Sequence, residues 1–154
     1  MSRSAAIAAA VTAVLAAALC ASAAADQGDR HAESWQRSYV DPRRPKAIKL
    51  AYETSPSYTL DHVSVYFHDD RVAFTIWLRP PEDGALVTSA VVRCTLVRMG
   101  EPLRGRRRID GKTHRHPSQE GQDPLMQSFS LRRAHCPRAK VRRHHLEQPG
   151  DAAR

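Results

Sequence analysis

The sequence predicts an all-β protein, a small antiparallel β-sandwich or open barrel with one disulfide, and three observations lead there. Apolar and polar residues alternate at a period of two through most of the central chain, and turn-forming clusters interrupt that alternation at short intervals. No stretch carries the 3.6-residue period of a convincing amphipathic helix. Once the amino-terminal segment is set aside, two cysteines remain, Cys94 and Cys136.

That segment reads as a secretory signal. Arg3 supplies the positive start, Ala5 to Leu19 is an apolar run broken only by Thr12, and Ala23-Ala24-Ala25 offers a small-residue cleavage site before Asp26. Removing residues 1–25 leaves 129 of the 154 residues, enough for one domain with its own core. The alternatives are an uncleaved membrane anchor, the run being close to the ~20 residues a spanning helix needs, and a lipid anchor on Cys20, which the bulky Leu19 opposes. The protein is therefore expected outside the cell or held at its envelope, with membrane contact only through an uncleaved signal. In such an oxidising compartment an even cysteine count favours a Cys94–Cys136 bond. Closing that loop restricts the unfolded chain by roughly 4 kcal/mol in the loop-entropy picture.

Residues 26–46 hold few apolar side chains and end in "DPRRPK", which predicts a flexible lead-in. The β domain is expected over 47–137. "IKLAYE" puts Ile48, Leu50 and Tyr52 on one side of a strand. In "HVSVYFHDDRVAFTIWL", Val63, Val65 and Phe67, then Val72, Phe74, Ile76 and Leu78, form the apolar faces of a hairpin that turns at Asp69-Asp70. "RPPEDG" ends it, because proline cannot donate to a ladder. "ALVTSAVVRCTLVRM" predicts a third long strand with Val92, Cys94 and Leu96 sharing a face, and Leu103 is expected to plug the core beyond it. "LMQSFSLRRAHC" predicts a last strand carrying Leu125, Phe129 and Leu131, with an irregular step before Cys136. Residues 138–154 predict a basic, disordered tail.

Charge is divided unevenly. From Asp26 to Val92 the net charge is −2, whereas from Arg93 to Arg154 it is +9. Arginine outnumbers lysine by 20 to 4, which matches the codon bias of a high-GC bacterial genome, but that bias does not confine the excess to one half. The asymmetry points to an anionic partner. In "EPLRGRRRIDGKTHRHP", Asp110-Gly111 suits a two-residue hairpin turn, yet that pairing would set Arg106 opposite Arg115, and like charges across a ladder repel. Either an anion settles the ribbon or the stretch is a loop, and the loop is preferred.

"EPLRGRRRIDG" resembles a Pro-Leu-Gly-x-Arg-x-x-x-Asp-Gly segment of short secreted bacterial proteins of unknown function. Pro102, Leu103, Arg106, Asp110 and Gly111 fit it, while Arg104 stands at its first glycine and Gly105 follows one step later. The resemblance implies a shared secreted β-rich domain and carries no activity with it.

No nucleophile elbow, zinc-protease helix or phosphate loop occurs, so no enzyme is expected. His114 and His116 lack an acidic or cysteine companion nearby, and no metal or other cofactor is expected. The candidate anion-binding set is Arg104, Arg106, Arg107, Arg108, Arg115, Arg132, Arg133, Arg142 and Arg143. Few aromatics accompany it, which argues against nucleic acid. The functional expectation is a secreted, non-catalytic β-domain that binds an anionic cell-envelope or extracellular partner through an arginine-rich face. The alternative is a secreted modulator of a protein partner, such as a protease inhibitor.

Overall fold

The hairpin read most clearly from the alternation is the centre of the structure. In the computed structural model, which describes residues 30–82, 84–85, 87–117 and 124–145, β4 (Thr59–Phe67) and β5 (Arg71–Arg79) pair antiparallel. The amide of His68 donates to the carbonyl of Arg71 across the Asp69-Asp70 turn (2.9 Å). Residues 1–25, read as a signal, lie outside the described residues.

Around that hairpin the chain builds two facing sheets. Beside β5 lie β1 (His31–Glu33), antiparallel to Ile76–Leu78, and β7 (Arg107–Asp110), parallel to Arg71–Phe74. They occupy one edge of β5 end to end. On the far side of β4 runs β8 (Val141–His145), again parallel. The second sheet has the order β2 (Trp35–Val40), β3 (Ala47–Thr54) and β6 (Val91–Arg98), all antiparallel. The result is the expected all-β sandwich, with no closed barrel and mostly antiparallel pairing; β7 and β8 are its parallel members.

Alternation explains the core. Val63, Val65 and Phe67 of β4, Val72, Phe74, Ile76 and Leu78 of β5, and Ile48, Leu50 and Tyr52 of β3 are all buried between the sheets. Each such side chain contributes about 1.5–3 kcal/mol by leaving water. Leu103 packs against this cluster, as expected.

Three expectations are corrected. The lead-in 26–46 contains two strands, β1 and β2, because Trp35 is only 2% exposed and its indole meets Phe74 edge-on at 6.3 Å. One large aromatic anchors a segment whose other residues need little apolar surface at a sheet edge. In the part of the expected tail that is described, residues 138–145, Arg138 bridges to Leu96 and Val141–His145 forms β8, because backbone bonds to neighbouring strands hold it; residues 146–154 lie outside the described residues. The expected last strand is instead a single helical turn, α1 (Pro124–Ser128), followed by turns. Its carbonyls are claimed by side chains. Arg37 Nη1 donates to the carbonyls of Met126 (2.9 Å) and Phe129 (2.8 Å), and Lys49 Nζ donates to those of Arg132 (3.1 Å) and Ala134 (2.7 Å). A strand would have spent those carbonyls on a ladder.

This covering segment closes a second, smaller core on the outer face of the three-stranded sheet, where Ala51, Cys94, Met126, Leu131 and Cys136 are buried together. The expected Cys94–Cys136 disulfide joins the segment to β6, with Cα atoms 5.2 Å apart. The third long strand is shorter than its apolar run, since only Val91–Arg98 pairs with β3.

The Asp-Gly pair makes no two-residue hairpin, and the loop preferred for its surroundings is partly a strand. Asp110 ends β7 and is only 1% exposed; its carboxylate accepts from the amide of Lys112 (3.1 Å) and the hydroxyl of Thr113 (2.9 Å). The amide of Gly111 then donates to the carbonyl of Phe74 (2.8 Å). A Cβ at Gly111 would overlap the Thr75 hydroxyl and stand 3.3 Å from the Phe74 carbonyl carbon. Gly111 is therefore required by close approach. Gly111→Ala is expected to lower unfolding stability by about 1–3 kcal/mol, an overpacking cost read from the urea midpoint.

Burial pushes the Tyr52 phenol above its ordinary value, and the nearby Arg93 guanidinium opposes that shift without cancelling it. A raised folded-state value means that the neutral phenol contributes stability below pH ~10, which is lost as pH rises beyond it. Stability measured by urea unfolding is expected to fall more steeply above that pH in wild type than in Tyr52→Phe.

Candidate anion-binding cleft

The "DPRRPK" turn between β2 and β3 is ordered by its own backbone. The amide of Arg44 donates to the Asp41 carbonyl (2.8 Å), that of Ala47 to the Arg44 carbonyl (3.0 Å), and that of Arg43 to the Asp41 carboxylate (3.0 Å). These turns leave Arg44 and Lys46 exposed at one end of the three-stranded sheet. There the amide of Met99 donates to the Lys46 carbonyl (2.9 Å), which fastens the end of β6 to the turn.

The strand after the disulfide completes the site. Leu96 donates its amide to Pro137 (2.8 Å) and accepts from Ala139 (3.0 Å), so Arg138 lies beside β6 with its side chain exposed. The chain then passes to the other sheet, where the amide of Val63 donates to the Lys140 carbonyl (2.9 Å). Three residues on, Arg143 Nη2 donates to the Arg98 carbonyl (3.2 Å). Gly100 makes room for it: with φ +88° it takes a conformation that side chains disfavour, and a Cβ there would sit 3.3 Å from Arg143 Nε.

The outcome is a cleft of about 710 Å³ with Leu96 and Ala47 among its apolar lining and five cations around it: Arg44, Lys46, Arg98, Arg138 and Arg143. Among the described residues no carboxylate lines it and none of the five forms an ion pair. Cations of one sign on low-dielectric walls concentrate a positive potential and draw anions to it. Arginine suits phosphate and carboxylate because its planar fork donates two parallel bonds.

Of the nine arginines expected to act together, Arg143 alone lines this cleft. Arg106 binds Glu101 (2.8 Å) with its guanidinium 5.8 Å from the Phe67 ring centroid, Arg107 pairs with Asp70 (2.7 Å), and Arg108 donates to Ser38 Oγ (3.1 Å). Arg104 is an exposed turn residue at φ +50°, and Arg115 is exposed while its carbonyl accepts from the Asp110 amide (2.8 Å). Arg132 and Arg133 are exposed on the covering segment, Arg132 beside Arg43 and Lys49, and Arg142 is exposed on β8 at the opposite parity to Arg143. The expected single face is therefore divided among several places. Arg44, Lys46, Arg98 and Arg138 were not singled out in sequence, and the one available signal was the paired arginines of "DPRRPK", read there as part of a flexible lead-in.

His116 packs edge-on against Trp35 at 6.5 Å. Among the described residues no group of His, Cys, Asp and Glu could hold a metal, and no helix is long and apolar enough to cross a membrane. In comparisons with family models, curated proteins and solved structures, nothing matches this chain.

A hydrogen bond from Arg107, aided by its charge and that of Arg71, holds the Asp70 carboxyl below its ordinary value. A depressed folded-state value contributes stability above the unfolded carboxyl's value, and that contribution disappears as pH falls through the folded one. Carboxyl chemical shifts are expected to show Asp70 titrating at a higher pH in Arg107→Ser than in wild type.

Proposed function

We propose that the chain is a secreted, non-catalytic β-domain that holds an anionic partner, such as cell-envelope polymer, in the cleft between the β2–β3 turn and the segment 137–143. The observation that carries this reading is five cations around one cleft with no carboxylate among the described residues to neutralise them. Elsewhere on the described surface, Arg79, Arg106 and Arg107 each meet an acidic side chain within 2.8 Å. Export is supported by the amino-terminal signal pattern and by a disulfide, which belongs in an oxidising compartment. The likeness of Pro102 to Gly111 to a segment of short secreted bacterial proteins accords with the same compartment.

The reading makes the cleft, and not the 106–108 knot, the binding surface. Purified oxidised protein is expected to be retained on envelope material at low salt and to elute as salt rises, because exposed charge pairs are screened over about 10 Å at 0.1 M. The variant Arg44→Ser/Arg138→Ser/Arg143→Ser is expected to pass through unretained. Arg106→Ser/Arg107→Ser/Arg108→Ser is expected to elute close to wild type. Equal retention of wild type and the cleft variant would overturn the assignment.

A further inference from the structure

The outer face of the five-stranded sheet carries a second concavity, of about 720 Å³, that the anion cleft does not involve. Its volume falls within the range of roughly 300–1,000 Å³ that small-molecule sites occupy. Small side chains, Ala32, Ala73 and Thr75, give it a low floor, and Tyr66 and Trp77 are its aromatic lining. Tyr66 pairs with Ala73 across the ladder and Trp77 lies four residues further along β5. At about 3.3 Å per residue the two positions are offset by about 13 Å along the strand.

Both rings are held in place before any ligand arrives. The His144 ring stacks on Tyr66 with centroids 4.5 Å apart and planes 13° from parallel, and His62 stacks on Trp77 at 6.0 Å and 15°. Trp77 Nε1 also donates to Ser64 Oγ (3.1 Å), and His62 Nδ1 is 2.7 Å from the Asp61 carboxylate. Rings already fixed lose little freedom on binding, which favours affinity. Each has an imidazole stacked beside it and lines the concavity.

Charge selects among ligands with flat apolar faces. Arg71 and Lys112 line the same concavity, and among the described residues no carboxylate does. Their own partners are distant: Lys112 Nζ is 3.5 Å from Glu33, and Arg71 Nε is 4.0 Å from Asp70, which Arg107 already engages at 2.7 Å. An incoming carboxylate competes well against such loose pairs. A pyranose offers C–H faces to the two rings and hydroxyls to the rim, and an acidic one adds the charge.

We propose that this face binds an acidic oligosaccharide, its sugar rings lying between Tyr66 and Trp77 and its carboxylates meeting Arg71 and Lys112. The test is titration of the oxidised protein with tetragalacturonate and with neutral maltotetraose, followed by calorimetry and tryptophan fluorescence. Tetragalacturonate is expected to bind saturably with a fluorescence change, and maltotetraose at least about tenfold more weakly. Trp77→Leu and Tyr66→Ser are each expected to weaken binding about tenfold or more, as loss of an anchoring aromatic does. Arg71→Ser/Lys112→Ser is expected to erase the preference for the acidic sugar. Ala73→Phe fills the floor while keeping both walls, so it is expected to abolish binding even if a wall variant fails to fold. The triple cleft variant is expected to keep the saturable fluorescence change, because Trp77 lines this concavity and no tryptophan lines the cleft. Absence of saturable binding, undiminished binding by Ala73→Phe, or loss confined to the cleft variant would each overturn the proposal.

Discussion

Leu96 exchanges two backbone hydrogen bonds with the strand that follows Cys136, and much of the molecule's arrangement depends on where those bonds send the chain. Held against β6 on one side, the segment can reach β4 on the other only by crossing between the sheets, which it does within a few residues. The disulfide fixes the start of this crossing and the parallel pairing of β8 with β4 fixes its end. Because the crossing ties the two sheets, which also meet through apolar packing and the Arg108–Ser38 hydrogen bond, it resists their sliding apart. It also brings Arg138 and Arg143 to Arg98, and His144 to the ring of Tyr66.

Positive charge has two different uses in this fold. Arg37 and Lys49 act as structural donors, each gathering carbonyls of the covering segment that no ladder satisfies. Arg93 does the same for Pro56 (2.8 Å) and Tyr58 (2.7 Å). Leaving such partly buried carbonyls unpaired would cost about 1–3 kcal/mol each, so these cations serve the fold whatever else the protein binds. The cations around the cleft differ because, among the described residues, none of them meets a carboxylate and only the Arg143 side chain donates to a carbonyl. High arginine content is thus a poor guide to a binding face until each guanidinium is traced to its partner.

Much of the fold is legible in local pattern. Residues Val63 to Leu78 announce a hairpin through alternation and a polar turn, and the structure pairs them antiparallel. The cysteine count predicts the disulfide. What escapes such reading are segments held from outside themselves: β8 has Val141 as its single apolar residue and looks like a tail, while "LMQSFSLRRAHC" has the apolar content of a strand but folds as turns under a lysine and an arginine. At Asp110-Gly111 a turn signal is real, but its purpose is close approach to β5, which no neighbouring residue reveals.

By itself the sequence determined the all-β class, the facing of the central strands and the cysteine pair, because alternation with period two and the supply of thiols are properties of neighbouring residues. Only the tertiary structure decided which arginines stand together and which aromatics flank a floor of small side chains. Those groupings come from parallel pairings and a sheet-to-sheet crossing between residues such as Arg44, Arg98 and Arg143, far apart in the chain, and no local periodicity encodes them.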